Sequence, residues 1–172
     1  MTEGTDVRRG VVTVEDDGRQ RLEFRRSWPD PIEDVWSALT EPDRLARWIG
    51  VYSGERGAGG TGTFVMTHEE GEHAGEPMTV VACDPPRRLV VEWTQQDTEN
   101  WRVDLDLWSE QGRTWLRFVQ VFPADADVTD FAMGWHWYLA KLEAEVGGTP
   151  APGHWDAFYA EVGPAYGRAP AD

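Results

Sequence analysis

His68 and His73 flank three carboxylates, Glu69, Glu70 and Glu72. Such a run attracts cations, but tight metal binding needs ligands gathered around one ion, and no pair here has the helical or paired-cysteine spacing that does this. No metal and no other cofactor is expected. Residues 54–62 hold five glycines, as a phosphate-cradling loop does. No Lys-Ser or Lys-Thr follows the last of them and no helix pattern comes next, so a strand-to-strand loop is the better reading. Cys83 is the sole cysteine, which excludes an intrachain disulfide. In the apolar run Val80-Val81-Ala82 it lacks the histidine and positive setting that activate a thiolate, and it reads as a buried structural thiol. No serine sits on a recognisable nucleophile elbow. Glu92, Asp104 and His68 are the groups a general acid or base step would draw on. Glu92 and Asp104 each oppose the apolar set of their own strand and should face solvent. His68 shares a face with Phe64 and Met66 but sits at a strand end, a rim position.

The chain has 172 residues and a formal net charge of −15. One domain is the natural size, large enough to bury a core without staples. The charge repels phosphate backbones and anionic lipid, so neither nucleic acid nor a membrane surface is an expected partner. No apolar run approaches the ~20 residues of a bilayer span, and the first residues show no charged-then-apolar leader pattern. A cytoplasmic protein is expected. Ten tryptophans point to a core with wide spaces to fill or a cavity to line, with two or three left for the surface.

The elements that must position these residues follow from periodicity. Residues 1–18 read as an N-terminal strand or hairpin extension, with Asp16-Asp17-Gly18 as a turn. Leu22 and Phe24 then alternate against charged residues in a firm strand. Pro29-Asp30-Pro31 ends it, with Asp30 as the N-cap and Pro31 in the first helical position. Ile32, Val35, Trp36 and Leu39 repeat at helical spacing, and a second short helix carries Leu45, Trp48 and Ile49 until Gly50 breaks it. Alternating segments follow around Phe64 and Met66, Met78 to Cys83, Leu89 to Trp93, Trp101 to Trp108, and Leu116 to Phe122. Short turns make them an antiparallel meander. The longest helix spans about 129–146, with Phe131, Trp135, Tyr138, Leu139, Leu142 and Val146 as its stripe and Gly147-Gly148 as its stop. Residues 149–172 form a Pro/Ala/Gly-rich tail in which Trp155, Phe158 and Tyr159 suit one short helix. The main domain is 19–148, of the α+β class: a curved antiparallel sheet around a long C-terminal helix, with two short helices after the first strand.

The run from Phe24 through Ser27-Trp28-Pro29-Asp30-Pro31 to Thr40-Glu41-Pro42-Asp43 and Trp48 resembles the opening segment of SRPBCC, or START-like, proteins. More narrowly, it is similar to the branch related to the activator of the heat-shock-protein-90 ATPase. Asp84-Pro85-Pro86-Arg87-Arg88-Leu89-Val90-Val91-Glu92-Trp93 resembles that branch's mid-sheet signature, and Gly134-Trp135 with Leu139 and Leu142 its final helix. The resemblance covers about residues 20–146 and implies a helix-grip fold. It implies a cavity that in many relatives holds hydrophobic small molecules or lipids. Some relatives cyclise polyketides, and the eukaryotic activators bind a chaperone through chains with a further N-terminal domain.

A strongly curved sheet cannot press its whole concave face onto one helix, so large side chains or a cavity must take up the gap. The expected lining is Trp48, Phe64, Met66, Trp93, Leu105, Phe118, Phe122, Phe131 and Trp135. Gln120 shares a face with Leu116 and Phe118 and should point inward, either to orient a ligand or to be satisfied by a neighbouring Trp N–H. His136 is about 100° from Trp135 and should reach the cavity mouth or, in preference, water. The first functional expectation is binding of a lipid- or polyketide-like hydrophobic small molecule, with no catalytic residue assigned. A cyclase or aromatase and a chaperone-interacting module stay open beside it, as does a homodimer through an edge strand or a helix.

Overall fold

The computed structural model describes residues 9–68 and 74–167. Its strands are β1 (Val11–Val14), β2 (Gln20–Trp28), β3 (Gly50–Gly54), β4 (Thr61–Met66), β5 (Glu76–Asp84), β6 (Arg88–Trp93), β7 (Trp101–Glu110) and β8 (Arg113–Phe122). Helices α1 (Ile32–Thr40) and α2 (Pro42–Trp48) follow β2, and α3 (Val128–Gly147) and α4 (Trp155–Val162) close the chain. All strands join one antiparallel sheet in the order β1-β2-β8-β7-β6-β5-β4-β3. The six strands from β3 to β8 form a meander, and the α1–α2 excursion carries the chain from β2 to the far edge. This is the helix-grip arrangement, with α3 gripped by the sheet.

Side-chain parity builds the core. In β2, Leu22, Phe24, Arg26 and Trp28 are buried while their neighbours are not. The strand pairings extend this face into rows that cross the sheet. One row runs Phe24, Phe118, Leu105, Leu89 and Cys83; the next runs Leu22, Gln120, Val103, Val91 and Val80. Arg26 stands on the apolar side of the alternation because α3 supplies its counter-charge: its Nε donates to Glu143 Oε1 at 2.8 Å. On the opposite face, Arg88 donates to Asp104 and Asp106, each at 2.8 Å.

Local chemistry sets the helix ends. Asp127 caps α3 by accepting from the Thr129 amide, and Gly148 ends it in the left-handed region at φ 72°. At α1 the capping position belongs to Pro31, with no side-chain cap, instead of Asp30. The Asp30 carbonyl instead accepts from the Thr114 hydroxyl at 2.7 Å. Gly50 does more than stop α2: it opens β3, a strand that the two bounding glycines conceal in the sequence. A Cβ at Gly50 would lie 2.1 Å from the Val65 carbonyl oxygen, so only glycine lets β3 start this close to β4. The expected surface tryptophans are absent: five are buried and five half-buried. Trp108 and Trp115, on the outer face, stack at 6.4 Å and shield one another. Among the described residues, no helix is long and apolar enough to cross a membrane.

Candidate ligand cavity

The concave face divides into a filled half and a hollow half. Beneath α3 the interior is solid. Trp135 lies 4.8 Å from Phe118, centroid to centroid, and its indole N–H donates to Gln120 Oε1 at 2.8 Å. Phe131 packs on Phe122 at 4.9 Å and edge-on to Trp101 at 5.2 Å. The hollow half lies where α3 no longer covers the sheet, between α1, α2 and strands β3–β7. It is a cavity of about 90 Å³.

Trp48, Phe64, Trp93 and Leu105 of the expected lining stand on its wall. Trp48 is fixed by its indole N–H, which donates to the Ala38 carbonyl at 2.8 Å, tying α2 to α1. Phe64 meets Trp93 edge-on at 5.5 Å. Phe118, Gln120, Phe122, Phe131 and Trp135 lie in the solid half, and half-buried Met66 packs against the core away from the cavity lining. The rest of the wall comes from Leu39, Leu45 and Ile49 on the apolar faces of α1 and α2, and from Met78, Val80, Leu89 and Val91 on the inward rows. Strand parity marked Leu89 and Val91, and helical spacing marked Leu39, Leu45 and Ile49, as members of apolar faces. Neither pattern carries a signal for which inward positions meet α3 and which face a gap.

Thr40, Tyr52 and Arg56 bring the polar groups. The Arg56 guanidinium, on the glycine-rich loop, donates to the Thr40 carbonyl at 2.7 Å and lies 3.7 Å from Glu41. It bridges the loop to the end of α1 while remaining half exposed, a position with no sequence signature. The Tyr52 hydroxyl donates to the Glu55 carbonyl, and burial, with the nearby Glu55 carboxylate, pushes its pKa up.

The groups considered for acid–base work lie elsewhere. Glu92 accepts from the Asn100 amide at 3.0 Å, and Asp104 sits between Arg88 and Arg102 on the convex face. Burial works against the Asp104 charge, but hydrogen bonds and attraction from both arginines prevail and hold its pKa below the usual carboxylate range. His68 donates through Nε2 to the Ala46 carbonyl at 2.8 Å. Glu69, Glu70, Glu72 and His73 lie outside the described residues. His136 is half-buried and its ring is engaged by the tail. The tail folds over that side of α3, so Nδ1 lies 2.8 Å from the Tyr166 hydroxyl and the ring packs between Phe24 and Phe158.

Residues 29–147 match the family described as activator of Hsp90 ATPase homolog 1-like protein. The crystal structure of CalU16 from Micromonospora echinospora has a TM-score of 0.69 with this chain at 23% identity, covering 92% of this chain and 93% of that one. The solution structure of the protein encoded by gene BPP1335 from Bordetella parapertussis scores 0.70 at 26% identity, over 86% and 84%. DynU16, described as a protein in the dynemicin biosynthetic locus, scores 0.63 at 23% identity over 76% of this chain and 48% of its own. No curated protein matches the chain.

Proposed function

Because the chain belongs to the family of activator of Hsp90 ATPase homolog 1-like proteins, we propose that it holds a compact hydrophobic or aromatic small molecule in the cavity between α1, α2 and strands β3–β7. The observation that carries this reading is the wall itself. Ten of its side chains are aliphatic or aromatic hydrocarbons or indoles, joined by Met78, while hydrogen-bonding groups gather at Thr40, Tyr52 and Arg56. That division suits a guest with an apolar body and one polar end.

Size limits the guest. Ligand cavities typically measure roughly 300–1,000 Å³, so about 90 Å³ admits one ring or a short chain. A guest burying about 200 Å² gains roughly 5 kcal/mol from apolar transfer, which association costs of similar size largely offset. Useful affinity therefore requires a longer body whose remainder leaves past Arg56, or side chains that swing aside. The place of DynU16 in a biosynthetic locus supports a small molecule as the guest.

A cyclase reading draws little from this cavity. Tyr52 lines the wall, but burial and Glu55 push its pKa up, which takes it further from proton transfer near neutral pH. The chaperone reading rests on family membership alone. The exposed large hydrophobic side chains among the described residues are the valines at positions 11, 12, 14, 51 and 81, with no aromatic patch.

Trp48 and Trp93 report directly on the cavity. Titration with toluene, naphthalene and straight-chain fatty acids, followed by tryptophan fluorescence, should show saturable quenching for compact apolar guests, and Val91→Phe should abolish it by filling the space. No response across the panel, or a response indifferent to Val91→Phe, would refute the proposal.

A further inference from the structure

Lys141 is the only lysine in the sequence, which carries 31 acidic residues. Arginines throughout the fold pair with carboxylates, yet Lys141 forms no ion pair among the described residues. Its ammonium lies 4.6 Å from the centre of the Trp137 ring. Burial pulls its pKa down, and no neighbouring carboxylate opposes the shift.

Lys141 stands at one end of a cleft of about 690 Å³ between α3, the segment leading into α4, and the end of β4. Gly134, Trp137, Tyr138 and Lys141 follow the i, i+3, i+4, i+7 spacing of one helix face. Trp155, whose ring meets Trp137 edge-on at 5.5 Å, forms part of the opposite wall. The indole N–H of Trp137 is buried and makes no hydrogen bond among the described residues.

Gly134 is the second sign of a ligand. A glycine inside a helix costs about 1 kcal/mol relative to alanine. Here no close approach among the described residues requires it, since a Cβ would meet none of them within 4 Å, and its φ is not positive. Glycine leaves bare space beside the Trp137, Tyr138 and Trp155 rings, in a cleft whose remaining wall is Thr67, His68, Asp130, Lys141, Gly153, His154 and Asp156. Asp130, one turn before Gly134, also lines the cleft and lies about 16 Å along the helix from Lys141. The face therefore carries an acid at one end, a cation at the other, and flat apolar surface between.

We infer that this cleft is a second small-molecule site, built for an extended aromatic monocarboxylate whose rings lie over Gly134 against Trp137, Tyr138 and Trp155 and whose carboxylate meets Lys141. Gly134 and Lys141 are about 10 Å apart along the helix, the length of two linked rings. The ligand supplies the counter-charge that no described residue gives Lys141, and a second carboxylate at the far end would meet Asp130. Trp155 lies beyond residues 29–147, so the cleft is completed by a segment outside the family match.

Calorimetric titration of the full chain with 4-biphenylcarboxylate, 4-biphenylmethanol and biphenyl-4,4′-dicarboxylate tests this. The monoacid should bind at least tenfold tighter than the alcohol and tighter than the diacid. Lys141→Gln should erase the preference over the alcohol, and Lys141→Arg should keep most of it. Gly134→Leu should block both compounds, and Gly134→Ala, which favours the helix, should weaken both. Val91→Phe, which closes the interior cavity, should leave binding intact. Reductive methylation with labelled formaldehyde places one side-chain reporter on Lys141, and its NMR signal should move with the monoacid. No binding of the monoacid, equal affinity for acid and alcohol, indifference to Gly134→Leu, or loss in Val91→Phe would overturn the inference.

Discussion

The Trp135 indole N–H donates to Gln120 Oε1 at 2.8 Å, and both residues are almost fully enclosed, at 6% and 1% exposure. Gln120 is the single polar member of a row formed with Leu22, Val103, Val91 and Val80. Its amide satisfies one of the two tryptophans of α3 and fixes the rotation of that helix over the sheet. Gln120→Leu keeps the volume but strands the indole N–H, and should destabilise by about 1–3 kcal/mol. Adding Trp135→Phe should cost less in this background than in the wild type. Urea denaturation of the four variants measures the coupling, and strict additivity would show that the bond contributes nothing.

Arg26 and Glu143 form the most enclosed ion pair among those described, with side-chain exposures of 3% and 18%. Glu143→Ala removes the carboxylate that the buried Arg26 Nε donates to and should lower stability by about 3 kcal/mol. Salt screens a pair this enclosed weakly. The loss should therefore be nearly the same in 0.1 and 1 M NaCl, whereas the effect of removing Glu99 from exposed Arg19 should vanish in high salt.

Gly50→Ala places a methyl group against the Val65 carbonyl, a backbone atom that cannot step aside. Overpacking of this kind costs about 1–3 kcal/mol. Hydrogen exchange should locate the damage: faster exchange in β3 and β4, with β7 and β8 unchanged. An equally protected β3 would contradict the contact.

Asp104 is expected to make the fold acid-sensitive. Burial raises its pKa, but Arg102 and Arg88 outweigh that and leave it depressed. The folded state therefore binds its proton less readily than the unfolded state. The resulting stabilisation is complete above the unfolded value of about 3.9 and is lost as pH falls through the lower folded value. Asp104→Asn should be less stable than wild type at pH 7, and the gap in urea midpoint should narrow below about pH 4. A constant gap would remove the carboxylate from the explanation.

Much of the frame could be read from alternation, because burial on one face of a strand leaves a period of two in the sequence. Leu22, Phe24, Leu105, Phe118 and Trp135 all point inward as their spacing requires. β3 escaped because Gly50 and Gly54 look like loop residues until a neighbouring strand is seen to need their missing side chains. The expected lining reaches further towards α3 than the wall of this cavity does. Parity says that Phe122 and Val91 share the inner face, but not that Phe131 fills the space over one while the space over the other stays open. That distinction depends on where the end of α3 leaves the sheet, a long-range fact with no local trace. His136 and Lys141 were obscured for a similar reason: their surroundings come from a tail whose docking the sequence barely signals.

The docking of that tail couples distant parts of the chain. Arg9 donates to the Ala165 carbonyl, the Gly10 amide donates to the Tyr166 hydroxyl, and Tyr166 also meets His136. The two ends of the described chain are thus latched to each other across the middle of α3. A cut after Gly148 would unroof that helix, bare Trp137 to water and release the first strand from its anchor, turning a sealed surface into an adhesive one.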